Sequence, residues 1–119
     1  MYANLNEQCA VQCEGYVRAG IAPNGTVWLH PPGERNRSVP VPAYMDDWQA
    51  CMRLVQRYRL VVQAGQDAHG SYWDIGTADE TMGYSVRTDD DAREAVVTLA
   101  LQIEEKQAQD ARVQALSRP

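Results

Sequence analysis

Residues 16–30, YVRAGIAPNGTVWLH, hold two extended runs on either side of a turn signal. Val17, Ala19 and Ile21 alternate with Tyr16, Arg18 and Gly20, the two-residue period of a strand. Pro23-Asn24-Gly25 follows, then a second extended run from Thr26 to His30. Asn-Gly tolerates positive φ at low cost, which a tight hairpin demands. The stretch therefore predicts a β-hairpin with strands near 16–22 and 26–30. A hairpin pairs its strands antiparallel, so the sheet it nucleates is an antiparallel one.

Outward from the hairpin the periodicity changes. Upstream, Leu5, Cys9 and Cys13 recur every four residues, which predicts a short helix over 4–14 with Gly15 as its C-terminal cap. Downstream, residues 31–43 hold four of the six prolines. Each removes a backbone donor and biases its predecessor away from helix, so this segment predicts a loop, with room for a short edge strand at Ser38–Val41. A second helix follows, capped by Asp46 or Asp47, with Trp48, Cys51, Met52, Val55 and Tyr58 as its apolar stripe and Arg53 and Arg57 opposite. Residues 59–65, 71–76 and 82–87 predict three more extended runs.

The last element begins at TDDDAREAV, residues 88–96. Thr88 suits the N-cap, with Asp91 three residues on in a capping-box arrangement. Asp89 and Asp90 then fall in the first turn, where the helix dipole favours negative charge. Ala92, Ala95, Val96, Leu99, Ala100 and Ile103 form the apolar stripe behind them. Residues 105–119 are polar, Ala- and Gln-rich helix formers, expected as a helical extension or frayed tail. The whole predicts one α+β domain over residues 1–119: a small antiparallel sheet of about four strands, packed with two to three helices, the C-terminal one long.

Composition narrows the function classes. The chain has 119 residues, 45% hydrophobic and 23% charged, ordinary values for a folded domain. It has no Phe, three Trp and six Tyr, aromatics that tolerate half-buried and contact positions. The net charge of −5 opposes direct nucleic-acid binding. No apolar stretch approaches the roughly 20 residues of a membrane span, and no secretory leader is recognisable, so a cytoplasmic location is expected. In that setting Cys9, Cys13 and Cys51 are expected as reduced core thiols rather than disulfides or metal ligands.

No motif announces catalysis. His69 sits in a turn and His30 before two prolines, neither in a nucleophile motif. Gly65-x4-Gly70 is followed by Ser-Tyr and a strand, not by the lysine and helix of a phosphate loop. We therefore expect a non-enzymatic protein with no cofactor and no metal. The acids are the feature that stands out. Asp74, Asp79, Glu80, Asp89, Asp90, Asp91 and Glu94 face only Arg87 and Arg93 between residues 74 and 94, while residues 35–59 carry five arginines. Asp74, Asp79, Glu80, Asp89, Asp90 and Asp91 are the candidate partner-binding residues, because such a field steers a basic partner.

Four segments carry a family resemblance: GYVRAGIAPNGTVWLHPPG (15–33), PAYMDDWQACMRLV (42–55), SYWDIG (71–76) and TDDDAREAVVTLALQ (88–102). Together they resemble the phage ABA sandwich domain of small phage and prophage proteins. That family has a proline–tyrosine entry to a helix with a central Trp, a later Trp-bearing strand and an Ala-rich closing helix. The likeness spans about residues 15 to 104, and the long polar tail departs from the pattern. It implies an α+β sandwich and a phage or prophage setting in a bacterial host, and brings no catalytic or binding residues. It leaves the activity open; in such a setting the acidic segment 74–94 and the lack of catalytic motifs lead us to expect an accessory protein that binds and blocks a host protein or defence complex, anti-CRISPR proteins being one such class. The alternative expectation is a small-molecule or nucleotide-binding sponge built on Trp28, Trp73, Tyr72 and Tyr84 with Arg53, Arg57 and Arg59. A homodimer is compatible with the stripe on the last helix.

Overall fold

A computed structural model describes residues 2–78, 85–88 and 91–117. Within them the element order is α1 (Leu5–Glu14), β1 (Val17–Ile21), β2 (Val27–His30), β3 (Val39–Pro40), α2 (Trp48–Tyr58), β4 (Leu60–Asp67), β5 (Gly70–Thr77), β6 (Ser85–Thr88) and α3 (Ala92–Ser117). The α+β architecture with antiparallel pairing and a long final helix is the one the sequence predicts. The strands, however, divide into two three-stranded sheets, β1-β2-β3 and β4-β5-β6, rather than gathering in one sheet of about four. The reason is α2, which stands between the third and fourth strands and separates the two meanders along the chain.

The 16–30 hairpin forms as its turn chemistry dictates. Gly25 N donates to Ala22 O at 2.9 Å and Ala22 N to Thr26 O at 2.8 Å. The left-handed residue is Gly25 (φ 88°), while Asn24 contributes its side chain, which accepts from Thr26 N at 3.0 Å. The register slips between Arg18 and Gly20, a bulge that puts two residues of β1 against one step of β2. β1 is an edge strand exposed along its whole length, so its apolar alternation does not mark a buried face. β2 does alternate: Val27 and Leu29 point into the core and Trp28 out. The proline-rich loop supplies only the two-residue β3, where Val39 pairs with Leu29.

Helix α1 starts on Asn4, whose side chain accepts from Glu7 N at 2.9 Å, and ends at Gly15 in the left-handed region (φ 83°). Helix α2 starts on Asp47 and ends on Arg59, a non-glycine residue at φ 54°. The core face of α2 is Ala50, Cys51 and Leu54, flanked by Val55 and Tyr58. Trp48 and Met52, assigned by the sequence to that stripe, stand outside it. Apolar residues at spacings of three and four cover more than the width of a single contact face, and packing selected the inner part.

Helix α3 is the hub. It packs on α1, α2, β5 and β6. Its predicted stripe is buried in full, and Val97 joins it. One core cluster unites Cys9, Cys13, Leu29, Tyr44, Cys51, Leu54, Ile75 and the α3 stripe. All three cysteines are free thiols within that core. From Glu105 onward α3 is exposed, as the thinning of apolar residues predicts. With 26 residues the helix is roughly 39 Å long. That projection, with the β4–β5 hairpin, gives extents of 50 × 48 × 22 Å and a radius of gyration of 16.4 Å. A compact chain of this length would have about 13.5 Å.

Candidate interaction surface

The charged residues nearest the core are tied to one another. Glu7 is buried (1% exposed) and accepts from Arg18 Nε at 2.8 Å, Arg18 Nη2 at 2.7 Å and Ala3 N at 2.7 Å. The Arg18 guanidinium, with help from the Ala3 N–H, holds the Glu7 carboxyl below the usual carboxylate range against the opposing effect of burial. Glu14 accepts from the Tyr44 hydroxyl and from Arg53 Nε and Nη2, both at 3.1 Å. The Arg53 guanidinium lies 5.9 Å from the Tyr44 ring centroid. Burial, then the Glu14 carboxylate, push the Tyr44 phenol well above its ordinary pKa. Tyr58 donates to Glu104 in the same manner, and burial is again the first cause of its raised pKa. These clasps pin α1 to β1, α1 to the loop before α2 and to α2 itself, and α2 to α3. They tie the elements of the fold to one another.

All three thiols are buried. The hydrogen bond between Cys9 and Cys13, then burial, hold the Cys9 thiol far above the ordinary thiol range, the same bond lowers the Cys13 pKa, and burial pushes Cys51 up to about 11. His30 Nδ1 donates to Arg37 O at 2.9 Å, and His69 lies in the exposed turn between β4 and β5. No group of three or more candidate metal ligands occurs among the described residues. No helix among them is long and apolar enough to cross a membrane.

The six acids proposed from the sequence fare differently. Asp79, Glu80, Asp89 and Asp90 lie outside the described residues. Asp74 is half-buried in β5, the middle strand of its sheet, in register with Gln63 and Arg87. Asp91 is the N-cap of α3: its Oδ1 accepts from Arg93 N at 2.9 Å, and its carbonyl accepts from Ala95 N. Thr88 is the last residue of β6, so the capping arrangement read from Thr88 moves three residues along the chain. A strand and a cap compete for a residue such as Thr88, and sheet pairing with Trp73 prevails. The residues of the nucleotide-binding alternative are spread over several elements. Trp28 belongs to one sheet, Trp73 and Tyr72 to the other, Arg53 is engaged by Glu14, and Tyr84 lies outside the described residues.

What the structure does assemble is a patch where the first turns of α2 and α3 meet. Trp48 opens α2 and Met52 follows one turn later, 41% and 42% exposed. Arg93 binds both oxygens of Asp91, at 3.1 and 2.8 Å, and its guanidinium lies 5.5 Å from the Trp48 ring centroid. The Asp91 carboxylate and nearby Asp46 stabilise the Arg93 charge, and Arg93 in turn lowers the Asp91 pKa. Asp47, the α2 cap, completes an acidic rim. The sequence could have revealed this patch: Trp48 and Met52 lie at the edge of their stripe, four residues apart.

A second surface is a groove of about 670 Å³ between α1 and the outer half of α3. Leu5, Gln8 and Gln12 form one wall, and Thr98, Leu101, Glu105, Ala108 and Arg112 form the other.

No family model matches the chain, and no curated protein or solved structure resembles it significantly.

Proposed function

We propose that this chain is a non-enzymatic accessory protein that acts by protein–protein contact, with Trp48 and Met52 as the anchor. The observation that carries this reading is a tryptophan and a methionine left exposed on a helix whose inner face is already filled. Fully burying such a side chain is worth about 1.5–3 kcal/mol, and with the two residues still 41% and 42% exposed roughly two-fifths of that is left for a partner to recover. Trp, Met and Arg are the residue types enriched in contact cores, and the Arg93 guanidinium lies over the Trp48 indole. Asp46, Asp47 and Asp91 surround the anchor, and the chain carries −5, so the partner surface is basic.

The resemblance of the four segments supports a phage or prophage setting. In that setting the basic partner is a host protein or defence complex, its nucleic-acid channel blocked by an acidic surface, as an anti-CRISPR-like inhibitor would do. The test is capture from bacterial host lysate with the wild-type chain, Trp48→Ala/Met52→Ala and Asp46→Lys. The expected result is one host complex enriched by wild type at low salt, lost with the double variant and weakened with Asp46→Lys. A partner retained equally by all three chains, or no partner at all, refutes the reading.

A further inference from the structure

We propose that the α1–α3 groove takes the outer half of α3 from a second copy of this chain, giving a two-fold antiparallel dimer. Leu101, Glu105, Ala108 and Arg112 line the groove at spacings of four, three and four, the seam along which helices pair. The seam is self-complementary when reversed about Ala108. Arg112 then meets Glu104 and Glu105 of the second copy, and Leu116 meets Leu101. The lengths agree: from Ala108 to Leu101 is roughly 10.5 Å along the helix and from Ala108 to Leu116 roughly 12 Å.

Three features need such an occupant. Leu116 is 87% exposed, far more than any other large apolar side chain here. Glu105 and Arg112 make no ion pair with other described residues, although Lys106 and Asp110 on the same helix do. Ala108 at the two-fold axis lets the helices approach to the 8–10 Å or so of close packing. A parallel arrangement would set Glu105 against Glu105 and Arg112 against Arg112, a like-charge repulsion at both positions. The surface includes none of Trp48, Met52 or Arg93, so dimerisation and partner binding stand or fall separately.

Sedimentation equilibrium of the full chain over a micromolar dilution series tests the proposal. The expected mass is twice the 13.3 kDa of the chain. Arg112→Glu is expected to weaken the dimer about tenfold or more, and Arg112→Glu combined with Glu105→Arg to restore it. Helix content by circular dichroism confirms that each variant folds. Ala108→Cys is expected to give a disulfide-linked dimer on mild oxidation, because only a two-fold axis places residue 108 against itself, whereas Ala115→Cys is not. A monomer throughout the series, a dimer indifferent to Arg112→Glu, or cross-linking through Ala115→Cys in place of Ala108→Cys overturns it.

Discussion

Replacing Glu7 with Gln tests whether a buried carboxylate holds α1 against β1. The new amide keeps one oxygen for Ala3 N and Arg18 Nη2 but turns an NH2 toward the Arg18 Nε–H, donor against donor. One charge-assisted hydrogen bond is lost, worth about 1.5–3 kcal/mol. Arg18 is 37% exposed and water can reach it, so the lower part of that range applies, about 1.5–2 kcal/mol. For a domain of this size that corresponds to a fall in Tm of about 6–8 °C at pH 7. The sign of the pH dependence follows from the depressed Glu7 pKa. Its stabilisation is complete above the unfolded value of about 4.3 and is lost as pH falls through the lower folded value. The gap between wild type and Glu7→Gln should therefore close towards strongly acid pH. Thermal melts at pH 7 and at steps below pH 4 measure it. Glu34→Gln, which breaks the exposed pair with Arg37, is the control and should cost less than about 1 kcal/mol. A gap that persists unchanged into acid, or an absent gap at pH 7, refutes the role of the clasp.

Other outcomes follow from single positions. Asp91→Ala removes the α3 cap and should cost about 1 kcal/mol in urea unfolding; freeing Arg93 should also alter tryptophan fluorescence. Arg59→Gly relieves a left-handed residue at the end of α2 and should stabilise by about 0.5–1 kcal/mol after glycine's own entropy is counted, measured in the same assay. The three thiols should resist iodoacetamide at pH 8 in the native protein and all react in denaturant, as read by intact mass. The raised Cys51 pKa of about 11 adds a second sign: stability present below the unfolded thiol value of about 8.5 is lost as pH climbs towards 11.

Local signals placed most of the fold. Asn4 and Gly15 bound α1, Pro23-Asn24-Gly25 turned the first hairpin, and the spacing of Val96, Leu99 and Ile103 fixed which side of α3 is buried. Each depends on a few neighbouring residues, so each can be read from the chain. Local reading failed where two local preferences competed. Thr88 could cap or pair, and the strand claimed it; Trp48 and Met52 could face in or out, and Cys51 and Leu54 filled the interior first.

What the sequence could determine alone was class: an α+β fold, antiparallel pairing, free core thiols and an acidic balance. The clasps Glu7–Arg18, Glu14–Arg53 and Tyr58–Glu104 join residues 11, 39 and 46 positions apart. No periodicity links such partners, because only the packing of α1 against β1 and of the three helices around one core brings them within hydrogen-bond reach. The same closure left Trp48 and Met52 of α2 and Leu116 of α3 exposed. Surfaces are what remains after packing is complete, so the tertiary structure had to decide them.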